Sequence, residues 1–110
     1  MTSVKFLADQ KGIYGFCVSG HSSKDSGDEL GKIVCAAVSS AVYLVANTVT
    51  DIIGDQADIK VQDGLMNFTV SNPDDATYKI MDGLRLHLTE LSKEYSNNIT
   101  INGGAKDVKD

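Results

Sequence analysis

Apolar and polar residues alternate in two short stretches near the start of the chain, residues 4–8 and 13–19. Period-two alternation predicts strands there. Between them, Asp9-Gln10-Lys11-Gly12 has the polar, glycine-ended make-up of a turn, so the two strands are expected to form a hairpin. In the second strand Tyr14, Phe16 and Val18 share one face, and Ile13, Gly15, Cys17 and Ser19 the other. The alternation stops at Gly20. From there to Gly31 the only apolar residue is Leu30, and Ser, Asp and Gly predominate. This is the composition of a loop, and compact domains reserve loops of this length for functional or disordered segments.

The pattern then changes period. Val34, Val38, Val42, Val45, Val49 and Ile52 recur at helical spacing, predicting a helix over residues 33–53, with Gly54 as its stop. The many β-branched residues would suit a strand, but about twenty residues with several alanines suit a helix better. Residues 57–62 and 65–71 flank Asp63-Gly64, a strong signal for a second hairpin. Asn72-Pro73-Asp74-Asp75 supplies a capping residue, a proline and acids for the positive end of a helix dipole. The helix it opens carries one apolar stripe: Met81, Leu84, Leu88, Leu91 and Tyr95. Asn97-Asn98 ends it, residues 99–101 read as a last strand, and residues 103–110 as a flexible tail.

The resulting order, β-β-α-β-β-α-β, is that of an α+β domain: a small mixed or antiparallel sheet with two helices packed on it. The 110 residues make one domain, long enough to bury a core without cross-links. A net charge of −5 without any cluster of basic residues argues against a nucleic-acid surface. The run IVCAAVSSAVYLVANTV approaches the length of a membrane span, but Ser39, Ser40, Asn47 and Thr48 interrupt it and its flanks lack anchors, so a buried helix is expected instead. The N-terminus has no basic segment followed by an apolar one. Cys17 and Cys35 lie on different elements and imply no disulfide framework, which suits a reducing cytoplasm.

The candidate chemistry lies at the two ends of the long loop. Cys35 opens the first helix, and His21 opens the loop. A thiol attacks as thiolate, and a helix N-terminus or a nearby imidazolium favours that form. With a helix starting near residues 31–33, Cys35 falls in its first turn, where unpaired N–H groups could also hold an oxyanion. The spacing permits a Cys/His dyad without requiring one, and a buried structural thiol fits the pattern as well. Cys17 reads as an inert strand thiol and His87 as an ordinary helix residue. No CxxC or HxxxH spacing suggests a metal site, and no cofactor motif is present.

Gly20-His21, a Gly/Ser/Asp loop, and Ile33-Val34-Cys35-Ala36-Ala37-Val38-Ser39 together resemble the ribosomal-processing cysteine proteases, the Prp family. The likeness extends over nearly the whole chain, to Glu94-Tyr95-Ser96-Asn97-Asn98-Ile99. It implies a small α+β endopeptidase, generally a homodimer, that removes a short, largely apolar N-terminal extension from a large-subunit ribosomal protein after an aromatic pair. Carried over by position, it implies Cys35 as nucleophile, His21 as base and Ser39 as a supporting hydroxyl. Where the family carries an acid three residues before the cysteine, this chain has Lys32.

The expected mechanism is thioester chemistry by His21 and Cys35. The loop, with Gly20, Ser22, Gly27 and Gly31, gates the substrate. A non-catalytic peptide-binding or ribosome-assembly module of the same fold is the alternative. A redox switch using Cys35 and Cys17 is a third reading.

Overall fold

The computed structural model describes residues 1–20 and 29–104. Its elements are β1 (Thr2–Ala8), β2 (Ile13–Ser19), α1 (Glu29–Asn47), β3 (Ala57–Gln62), β4 (Leu65–Val70), α2 (Asp75–Glu94) and β5 (Ile99–Gly103). This is the α+β order that the periodicities predict. The five strands form one mixed sheet in the order β3-β4-β2-β1-β5. All neighbours are antiparallel except β1 and β5, which run parallel.

Both helices cover the same face of the sheet. Val4 and Phe6 on β1, Phe16 and Val18 on β2, and Met66 and Phe68 on β4 lie side by side in the register. They join Val34, Val38, Val42 and Val45 of α1 and Met81, Leu84 and Leu88 of α2 in a single core. The ring of Phe16 stacks on that of Phe68 at 5.1 Å and meets the edge of Phe6 at 6.5 Å. Each such buried side chain stabilises the fold by about 1.5–3 kcal/mol. The intervening residues Lys5, Cys17 and Asn67 share a row on the uncovered face. Ile13 joins the core despite its odd position in β2, because the register with β1 skips Tyr14 between Gly15 and Ile13. A one-residue bulge shifts everything beyond it to the other face.

α1 starts earlier than the valine periodicity indicates. Glu29, Leu30 and Gly31 are already helical, with Glu29 at the positive end of the dipole. Gly31, expected in the loop, therefore belongs to the helix. At the other end α1 passes directly into a π-helical segment, Thr48–Ile53. The hydroxyls of Thr48 and Thr50 donate back to the carbonyls of Leu44 and Ala46, a pattern that bends helices. Gly54 stops the segment in the left-handed region at φ +91°. The whole stretch Glu29–Ile53 is long and apolar enough to cross a bilayer, yet its inner stripe is part of the core.

α2 is capped by Asp74, whose carboxylate accepts from Ala76 N at 2.9 Å. Asp55, just after the π segment, ties this helix start down: its Oδ2 accepts from Asp74 N at 2.9 Å and from the buried Thr77 hydroxyl at 2.5 Å. Hydrogen bonds to a charged group contribute about 1.5–3 kcal/mol. Asp55→Ala is expected to remove about 2 kcal/mol and lower the melting temperature by roughly 10 °C, measurable by thermal circular dichroism. Asp9 organises the β1–β2 turn, accepting from Lys11 N and Gly12 N, and also accepts from the Tyr78 hydroxyl at 3.2 Å. Partial burial, and then the charge and hydrogen bond of Asp9, hold Tyr78 above the usual tyrosine range.

β5 runs two residues beyond the apolar pattern. Gly103 pairs with Phe6, and its carbonyl accepts from Arg85 Nε at 3.2 Å. A Cβ on Gly104 would stand 2.8 Å from Phe6 Cβ, so both glycines belong to the fold. Residues 105–110 of the expected tail lie outside the described residues.

Candidate functional site

The side of α1 that turns away from α2 carries Cys35, Ser39 and Tyr43 at successive turns. Spacings of four place them in one column on the helix, with Cβ atoms about 6 Å apart between neighbours. The lower part of that column forms one wall of a cleft of about 340 Å³. Ser39, Val42 and Tyr43 line this wall; Val18 and Met66 form the floor; Val61 and the β3–β4 turn, Asp63-Gly64, close the far side. The lining is mainly apolar, with Ser39 and Tyr43 as the hydroxyl-bearing residues on the helix side. Cys35 lies one turn beyond Ser39 toward the start of α1, half-buried and not disulfide-bonded.

Gly20 reaches the same end of the sheet. Its N–H donates to the carbonyl of Gly64, one of the cleft residues, at 3.2 Å. It adopts φ +90°, and a Cβ there would approach Met1 O to 2.6 Å, so the position requires glycine on both counts. The chain thus leaves β2, at Gly20, beside the cleft that Ser39 lines. His21, Ser22 and Gly27 themselves lie outside the described residues.

One expected feature changes. With α1 beginning at Glu29, Cys35 is in its second turn, about 9 Å along the axis from the first residue. The unpaired N–H groups of a helix belong to its first four residues. At Cys35 the amide is inside the hydrogen-bonded ladder, so the helix terminus does not offer it an oxyanion site. Lys32 is exposed, one turn before Cys35. Cys17 sits mid-strand on the uncovered face, opposite Lys5 and Asn67, so it lies on the other side of the sheet from the cleft. His87 is exposed on α2. Among the described residues, no three His, Cys, Asp or Glu side chains gather where they could hold a metal ion.

The sequence pointed to Cys35 and Ser39 but not to the residues opposite them. Val61, Met66 and Gly64 carry no chemical signature; only the folding of the β3–β4 hairpin beside α1 makes them a wall.

The model of the cysteine protease Prp family matches residues 1–100. The chain belongs to this family of cysteine proteases. Among solved structures it is similar to the ribosomal processing protease Prp from S. aureus in complex with a substrate peptide, with a TM-score of 0.84 and 21% identity over 94% of this chain and 99% of that one. The same S. aureus protease with a covalently linked product peptide gives a TM-score of 0.78 at the same identity and coverage. A protein from Streptococcus mutans gives 0.83 at 21% identity, over 94% of this chain and 97% of that one. At these identities the structural likeness speaks for the fold. Among curated proteins none matches this chain in sequence.

Proposed function

We propose that this Prp-family protease removes the N-terminal extension of a large-subunit ribosomal protein, with Cys35 as nucleophile and His21 as general base. The observation that carries this reading is the convergence at one end of the sheet. Gly20, to which His21 is bonded, is held at the mouth of an apolar cleft whose helical wall runs up through Ser39 to Cys35. The ribosomal substrate is supported by the S. aureus relative, which is named a ribosomal processing protease.

In the proposed reaction His21 accepts the thiol proton and Cys35 Sγ attacks the scissile carbonyl. His21 returns the proton to the leaving amine, and water then hydrolyses the thioester, releasing the acid and regenerating the thiol. Ser39 supports the site as the hydroxyl one turn away on the same column. The apolar lining suits an extended, apolar segment of substrate, whose side chains lose water as they enter. The chain's net charge of −5 favours encounter with a basic ribosomal protein. We place it in the cytoplasm as a homodimer; two cysteines without a disulfide suit a reducing compartment.

The test is incubation with a peptide spanning the host's own ribosomal-protein extension, followed by mass spectrometry. A single cut that depends on both His21 and Cys35 is expected. A peptide that binds measurably yet stays uncut after long incubation would favour the non-catalytic module. Gly20→Ala tests the convergence itself. Strain at φ +90° and contact with Met1 O displace the chain at the cleft mouth. A displacement of about 1 Å near a catalytic group costs on the order of 10²-fold in rate. Cleavage is expected to fall by about that factor while far-ultraviolet dichroism stays unchanged; undiminished cleavage would show that Gly20 does not position the site.

A further inference from the structure

We propose that Lys32 selects substrates carrying an acidic residue, Asp or Glu, one or two positions from the scissile bond, on the side away from the apolar segment that fills the cleft. This deepens the peptidase reading above and rests on it.

Lys32 stands on the same flank of α1 as the nucleophile and the cleft wall. Lys32 and Ser39 are two turns apart and nearly in line, with Cys35 between them. A helix advances about 1.5 Å per residue, so Lys32 is about 4.5 Å along the axis from Cys35 in one direction. Ser39 and Tyr43 are about 6 and 12 Å away in the other. An extended peptide advances about 3.3 Å per residue. A substrate whose scissile bond lies at Cys35 sends its apolar side down the cleft, past Ser39 and Tyr43. The first or second residue on its other side then comes over Lys32. An ammonium on a flexible four-carbon stem reaches either position.

The charges around the column give this residue its selectivity. Lys32 is exposed, and the one ion pair among the described residues joins Lys93 to Glu90 on α2. Glu29, one turn before Lys32, is the other charged residue of α1. From residue 33 to residue 50 the chain carries no charge at all. Lys32 is therefore the charge on α1 nearest the nucleophile. The cleft has the opposite sign, because Asp63 is the charged residue among those lining it. An acidic residue placed in the cleft is repelled by Asp63. The same residue placed beyond Cys35 meets a cation that no acid among the described residues neutralises. Attraction at one end of the column and repulsion at the other together fix which bond is presented to Cys35, and they discriminate more than either alone.

The test uses the full chain and three peptides built on the host's ribosomal-protein extension. They differ only at the two residues beyond the scissile bond on the side away from the apolar segment, which are Glu, Ala or Lys. The readout is kcat/KM, from the mass of the product. A water-exposed charge contact changes affinity by about threefold, and attraction and repulsion add. The wild type is thus expected to cut the Glu peptide about threefold better than the Ala peptide and about tenfold better than the Lys peptide. Lys32→Glu is expected to reverse this order by a similar factor, and Lys32→Gln to bring the three peptides within about twofold of one another. At about 1 M salt the wild-type preference is expected to fall below about twofold, because exposed charges are then screened beyond about 3 Å. Equal cleavage of all three peptides by the wild type overturns the role of Lys32 and leaves the peptidase standing. So does an order that Lys32→Glu leaves unreversed, or a preference that salt does not reduce. Peptides that all stay uncut overturn the peptidase. If those uncut peptides also bind with equal affinity, by fluorescence anisotropy, the role of Lys32 falls with it. If they bind with a preference for Glu over Lys that Lys32→Glu reverses, that role stands without the cleavage.

Discussion

Cys35→Ala is expected to return an extended peptide substrate uncut, with the fold intact. The thiol is half-buried on the outer flank of α1, so its loss removes little packing, about 1 kcal/mol. Chemically the loss is complete. On the column that faces the cleft, the other hydroxyl-bearing groups are Ser39 and Tyr43, one and two turns further on. At about 6 Å per step neither can take over the position of Sγ. Removing a covalent nucleophile costs on the order of 10⁴-fold or more in turnover. Cys35→Ser refines the result: it keeps the shape but offers a much poorer nucleophile, and should cut at least on the order of 10³-fold more slowly. Both variants should still bind the peptide, as fluorescence anisotropy can show. Full cleavage by Cys35→Ala would end the proposed assignment of the nucleophile.

Phe68→Ala is expected to be the most damaging single change to the fold. Phe68 is fully buried at the centre of the sheet, stacked on Phe16 at 5.1 Å, and Phe16 in turn meets Phe6. Truncating a buried Phe costs about 3–5 kcal/mol, because the cavity forms in addition to the lost transfer energy. A domain of this size is stable by only about 5–15 kcal/mol. A fall in melting temperature of roughly 15–30 °C follows, or failure to accumulate folded protein. A denaturant midpoint close to that of wild type would show that the aromatic cluster is not the keystone of the core.

How much of this was legible from residues alone differs by element. The hairpin at Asp63-Gly64 and the stripe from Met81 to Tyr95 emerged with nearly their final bounds, because turn chemistry and helical periodicity are local. The start of α1 did not. Glu29, Leu30 and Gly31 carry no part of the valine stripe, so the helix lengthened by a turn and moved Cys35 away from its free N–H groups. The bulge at Tyr14 was equally hidden: alternation put Ile13 on the outer face, and only the pairing with β1 brought it inside. At the candidate site, Cys35 and Ser39 were legible as a pair one turn apart. The wall opposite them was not, since Val61 and Met66 read as ordinary strand residues.

The amino-acid sequence by itself determined the element order, the composition of the core and the family, because these rest on local periodicity and on a short chemical pattern around His21 and Cys35. Tertiary structure decided the strand order β3-β4-β2-β1-β5, the parallel seat of β5, the cleft between α1 and the second hairpin, and the exposure of β3 at the edge. Those depend on which strands of similar apolar pattern find each other across long stretches of chain. That choice is made by the packing of both helices over one shared core, and no local run of residues encodes it.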